Sequence, residues 1–195
     1  MSKGLPAFSW LCPSFSWLLP ACFGCPSAAF CEQGATAPLP CLEGSYSSME
    51  GLGSSDQCTN CPEGSFCSTG SLAHTLCSPG TVQPSASQGT CARCEAGKFQ
   101  DLTGQGSCDS CEAGKFAATE GSISCAECSP GKAQGGTGQA DCLPCDPGTF
   151  AANTSSAVCD DCPGDQYSSI GSPKCLLCNK EFYYALDGTC VKCPE

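Results

Sequence analysis

The sequence predicts a small, disulfide-rich fold: an elongated tandem array of short irregular β-hairpin repeats with little helix. Three observations predict it. Cysteine occupies 23 of 195 positions, about 12 %, a density at which cross-links stand in for a core. Glycine and proline fill 23 and 15 further positions, so turns outnumber any continuous helix or strand. Above all, the cysteines recur with a fixed period.

The period is read directly. C-x-x-C pairs fall at Cys91/Cys94, Cys108/Cys111, Cys125/Cys128, Cys142/Cys145 and Cys159/Cys162, each step 17 residues, and then at Cys175/Cys178 and Cys190/Cys193. The text between them repeats as well: CEAGKFQDLTGQGSC, CEAGKFAATEGSISC, CSPGKAQGGTGQADC and CDPGTFAANTSSAVC. Upstream, a C-x5-C-x9-C variant occurs at Cys25, Cys31, Cys41 and again at Cys61, Cys67, Cys77. It reads as the short unit with an extra loop and a connector in front. The organisation that follows is an apolar segment over 1–24, two long repeats over 25–93, six short repeats over 94–193, and the start of a truncated repeat over 193–195. Cys193-Pro194-Glu195 matches the beginning of CPEGSF at Cys61, so the chain is expected to be a fragment.

Within a unit, the glycine three residues past the cysteine (Gly97, Gly114, Gly131, Gly148) is expected to make a tight turn through positive φ or close backbone approach. The aromatic five residues past it (Phe99, Phe116, Phe150, Tyr167, Tyr183) is expected to begin a short strand and cover a disulfide. Position 133 is alanine, so the third short unit lacks this group. One aromatic and one cross-link are too little to order a 17-residue unit alone, so stacking on neighbours is required.

Periodicity narrows the pairing without fixing it. Joining the second cysteine of each pair to the first of the next gives Cys94–Cys108, Cys111–Cys125, Cys128–Cys142, Cys145–Cys159, Cys162–Cys175 and Cys178–Cys190. The same rule gives Cys77–Cys91 and Cys41–Cys58. The extra loops close as Cys25–Cys31 and Cys61–Cys67, which leaves Cys12–Cys22 and an unpaired Cys193. A crossed arrangement, Cys91–Cys108 with Cys94–Cys111, doubles the period and stays open.

This C-x-x-C-x-x-G-x-aromatic-x8-9-C-x-x-C pattern, from Cys25 to Glu195, resembles the cysteine-rich repeat of ephrin type-A/B-receptor-like proteins. That repeat is akin to tumour-necrosis-factor-receptor and epidermal-growth-factor-like modules and to long protist-type surface arrays. The resemblance implies an extracellular rod of hairpins. It implies no kinase, for nothing here resembles a glycine-rich phosphate loop, an H-R-D loop or a D-F-G.

Composition points the same way. Dense cysteine implies an oxidising compartment. A net charge of −11, with eight Lys plus Arg spread singly, offers no basic face, and no nucleic-acid partner is expected. No apolar stretch is long enough to span a bilayer, so any membrane link would come through a segment outside these residues. Residues 1–24 resemble a secretory signal, with Lys3 before an apolar run and small residues at Ala21 to Gly24, although Pro6, Pro13 and Pro20 interrupt it. The other reading is a low-complexity start.

Other chemistries were weighed against disulfides. C-x2-C-x13-C-x2-C is a zinc spacing, which makes an intracellular zinc-binding array the main alternative. Against it stand the even spacing, the cysteines at 31, 41, 67 and 77 outside any C-x-x-C pair, and a single histidine, His74. Redox catalysis would need a thiolate at a helix N-terminus, and Pro, Gly or Asp follows these cysteines instead. Glu95, Glu112, Asp146, Asp160 and Asp161 do not form a calcium-binding ladder. No metal, cofactor or catalytic residue is expected, and His74 reads as an exposed loop residue. Asn153-Thr154-Ser155 is an N-glycosylation sequon, with Asn153 as the acceptor. Glu95 with Lys98 and Glu112 with Lys115 recur at equivalent sites and read as a solvated charged stripe. The expected function is a non-enzymatic spacer, adhesion or ligand-binding ectodomain of a larger secreted or cell-surface protein, with a protein or glycan ligand of unknown identity. A signalling-receptor ectodomain is the further alternative.

Overall fold

The computed structural model describes residues 24–164, 166–177, 182–185 and 190–192. Among these residues the chain forms ten two-stranded antiparallel sheets, each a hairpin of consecutive strands. The first four are β1 (Ala29–Phe30) with β2 (Leu39–Pro40), β3 (Ser45–Tyr46) with β4 (Thr59–Asn60), β5 (Ser65–Phe66) with β6 (Thr75–Leu76), and β7 (Thr81–Val82) with β8 (Ala92–Arg93). Then come β9 (Lys98–Phe99) with β10 (Asp109–Ser110), β11 (Lys115–Phe116) with β12 (Ala126–Glu127), and β13 (Lys132–Ala133) with β14 (Leu143–Pro144). The last three are β15 (Thr149–Phe150) with β16 (Asp160–Asp161), β17 (Gln166–Tyr167) with β18 (Leu176–Leu177), and β19 (Phe182–Tyr184) with β20 (Cys190–Lys192). One 3-10 turn, Ser55–Gln57, is the helical element among the described residues. The chain is thus the small, disulfide-rich tandem hairpin array that its composition predicts. Each long repeat resolves into two hairpins, so its extra loop is a hairpin in its own right.

The second strand of each hairpin through β18, except β2 and β6 in the extra loops of the long repeats, is the x-x of a C-x-x-C. Phe99 pairs with Asp109 and Lys98 with Ser110, Phe116 with Ala126 and Lys115 with Glu127, Phe150 with Asp160 and Thr149 with Asp161. The aromatic therefore ends the first strand rather than beginning it. It is half-buried at Phe99, Phe116 and Phe150. Phe30, at the equivalent place in the first hairpin, is buried and packs with Cys41, Leu52 and Cys58.

The chain divides into two compact units, Met1–Ala92 with Leu102–Ser107, and Arg93–Asp101 with Cys108–Glu195. In the first, the buried centre is Phe30, Leu52 and Val82 with the sulfurs of Cys25, Cys31, Cys41, Cys61, Cys67 and Cys77. In the second, it is Cys94, Cys111, Cys128, Cys142 and Cys145 with Ala117, Ala133 and Ala151. Sulfur and methyl groups fill the space that larger side chains fill elsewhere.

Candidate functional site

Each unit opens with a tight turn in which the fourth residue past the cysteine donates its N–H to the carbonyl of the first. Lys98 N donates to Glu95 O, Lys115 N to Glu112 O, and Thr149 N to Asp146 O, each at 3.0 Å. The third residue carries positive φ, +86° at Gly97 and +80° at Gly114, the geometry of a type II turn. Side chains reinforce it in two ways. Where the fourth residue is Ser or Thr, its hydroxyl donates to the same carbonyl, as Ser45, Ser65, Thr81 and Thr149 do. Where it is Lys and the first position is Glu, the ammonium meets that carboxylate instead: Lys98–Glu95 at 3.1 Å and Lys115–Glu112 at 4.0 Å. The recurrent charges close within one repeat. In the next turn, Cys162 to Gln166, glycine stands at the second place, as Gly164 with φ +53°.

A second left-handed position recurs farther along each loop, at Gly51, Gly70, Ser87, Gly104, Gly121, Gly138, Ser155 and Gly171. Its N–H donates to a cysteine carbonyl of an earlier unit: Gly121 to Cys94, Gly138 to Cys111, Ser155 to Cys128 and Gly171 to Cys145, at 2.7 to 2.9 Å. Its carbonyl reaches farther back still. A Cβ placed on Gly97 would fall on the carbonyl of Gly138, one on Gly114 on that of Ser155, and one on Gly131 on that of Gly171. In the first unit Gly44 and Gly64 meet Ser87 and Gly104 in the same way. At these five glycines the turn is touched by the loop two hairpins on, and the repeats interlock beyond nearest neighbours. Gly97 N also donates to Ala117 O at 2.8 Å, Gly114 N to Gln134 O at 2.7 Å and Gly131 N to Ala151 O at 2.8 Å.

Nine disulfides lie among the described residues: Cys25–Cys31, Cys41–Cys58, Cys61–Cys67, Cys77–Cys91, Cys94–Cys108, Cys111–Cys125, Cys128–Cys142, Cys145–Cys159 and Cys162–Cys175. Their Cα atoms are 5.7 to 6.1 Å apart, within the range a disulfide bridges. The two members of each C-x-x-C thus serve different loops: Cys91 closes back to Cys77 and Cys94 forward to Cys108. The pairs Cys12–Cys22 and Cys178–Cys190 and the lone Cys193 involve positions outside the described residues. No group of three or more His, Cys, Asp or Glu side chains is gathered as a metal site among the described residues.

What faces solvent is the second strand of the hairpins through β18. Thr59-Asn60, Thr75-Leu76, Asp109-Ser110, Ala126-Glu127, Leu143-Pro144, Asp160-Asp161 and Leu176-Leu177 are all exposed. These dipeptides differ from hairpin to hairpin, while the turns behind them are nearly constant. His74 is exposed and packs its ring edge-on against Tyr46, centroids 5.5 Å apart. A polar cleft of about 360 Å³ lies between Leu42, Ser45, Ser55, Asp56, Cys58 and Asn60. Asn153 is exposed on its loop. Among the described residues no helix is long and apolar enough to cross a membrane.

This geometry defines a class: a disulfide-bonded repeat region of the extracellular type, built from interlocked hairpins. Residues 97–138 and 131–170 each match the family described as tyrosine-protein kinase ephrin type A/B receptor-like. Residues 97–170 therefore carry repeats similar to the ephrin-receptor-like cysteine-rich type. No curated protein matches it.

Proposed function

We propose that this chain is a non-enzymatic spacer within a secreted or cell-surface protein, presenting side chains to a protein or glycan ligand from a rigid hairpin lattice. The observation that supports it most is the division of labour inside each repeat. Backbone amides, turn hydroxyls and cysteine sulfurs are spent on the interlock, and the exposed second-strand dipeptides are what varies. The hydroxyls of Ser45, Ser65, Thr81 and Thr149 are held by turn carbonyls, which suits a structural role better than nucleophilic work. The pairing of cysteines fits an oxidising compartment.

The test is to secrete the chain, alkylate it without reduction, and measure intact mass and zinc content together. Protection of the 18 disulfide-bonded cysteines without bound zinc is the expected result. General alkylation, or zinc in proportion to the C-x-x-C pairs, would overturn the extracellular reading.

A further inference from the structure

We infer that Asn153 carries an N-linked glycan, added before the repeat folds, and that Ser155 is a serine for that reason. The inference rests on the secreted reading above and deepens it. Ser155 occupies the second left-handed position, φ +58°, where Gly104, Gly121, Gly138 and Gly171 stand in the other hairpins. A side chain there is strained. Its hydroxyl is also buried and has no hydrogen-bond partner, a costly state for a polar group. Ser87, the other serine at this position, is exposed. In the folded chain, then, the Ser155 hydroxyl does nothing that glycine would not do better.

In the unfolded chain it has a use. Asn153-Thr154-Ser155 is an acceptor sequon, and the hydroxyl two residues past the asparagine is the part of it that glycine cannot supply. The transfer joins the Asn153 amide Nδ2 to the anomeric carbon of a lipid-diphosphate-linked oligosaccharide. The amide loses one proton, and the lipid diphosphate leaves with the electron pair of its bond to the sugar. Folding then turns the hydroxyl inward, while Asn153 stays at the first place of an exposed turn, its carbonyl accepting from Ser156 Oγ at 3.0 Å. Its side-chain amide has no partner among the described residues, so the product has room to stand in solvent.

The experiment expresses the full chain behind a secretion leader and reads its mass before and after enzymatic removal of N-glycans. One glycan is expected on the wild type and on Ser155→Thr, and none on Asn153→Gln or Ser155→Gly. Among the unglycosylated chains, Ser155→Gly should melt at a higher temperature than Asn153→Gln, because only it relieves the strained backbone and the buried hydroxyl. A secreted, fully disulfide-bonded chain without sugar at Asn153 would overturn the inference and leave the extracellular reading standing. A chain retained with free thiols and no sugar would sink both.

Discussion

The carbonyl oxygen of Ser155 sits where a β-carbon on Gly114 would have to be, although the two residues belong to hairpins two steps apart. Contact of this kind ties three successive hairpins into one structural element. It also gives the turn glycine two separate duties, a left-handed backbone and an absent side chain.

The two duties can be measured apart. Gly34 has φ +87° with open space around its Cα, whereas Gly114 has φ +80° under a neighbouring carbonyl. Gly34→Ala should cost about 1–2 kcal/mol from backbone strain alone. Gly114→Ala should cost at least about twice that, since the loop bearing Ser155 must also move. Denaturant unfolding of the oxidised variants reads the difference, and equal losses would remove the interlock from the account.

Ala28 stands at the turn position of the first hairpin, where Gly44, Gly64 and Gly80 stand in the next three, with φ +61°. Ala28→Gly should therefore stabilise the first hairpin, by up to about 1 kcal/mol after allowing for the freer unfolded chain. Hydrogen exchange at the amides of Ala28 and Cys41, which donate to Ser47 O and Ala28 O respectively, should slow accordingly.

Removing Cys111–Cys125 by a paired substitution to serine should cost about 3 kcal/mol, the loop-closure value for a ring near 15 residues. The loosening should not stay inside that loop. Cys111 donates its N–H to Gly97 O and accepts from Gly138 N, so exchange should quicken at the Cys111 and Gly138 amides together. A change confined to residues between the two cysteines would argue for independent repeats.

The recurrent ion pairs should matter little. Lys98 and Glu95 side chains are 42 % and 78 % exposed, and pairs of that kind contribute under about 1 kcal/mol and are screened by salt. Glu95→Gln and Glu112→Gln should shift the melting temperature only slightly, and less at high ionic strength.

Much of this architecture was legible because period and chemistry coincide in the sequence. The turn at Gly97, Gly114, Gly131 and Gly148 could be read from glycine's place after each cysteine, and the hairpin from the aromatic and the x-x strand that follow. The second left-handed position is harder to see in the sequence, although TGQ, EGS, TGQ and IGS recur at it. The signal is diluted there, because Ser87 and Ser155 replace glycine and loop text varies. Nor could spacing reveal that the loop of one hairpin reaches the turn two hairpins away. That depends on the rise and twist per repeat, which follow from packing rather than from any residue pattern. Nor does spacing show that the aromatic ends its two-residue strand instead of beginning it, as at Phe99, Phe116 and Phe150.

The interlock has a consequence for how such a chain can change length. Excising residues 112–128 would join Cys111 to Ser129-Pro130-Gly131 in register and bring Ser155 over Gly97 in place of Gly138. Ser155 already has the left-handed backbone the site demands, φ +58° against +68° at Gly138. A whole unit can therefore be lost or duplicated in the gene without any compensating substitution, whereas a gain or loss of half a unit leaves every turn beneath the wrong atom. Copy number is free to drift, and the repeat, rather than the residue, is the step in which it does so.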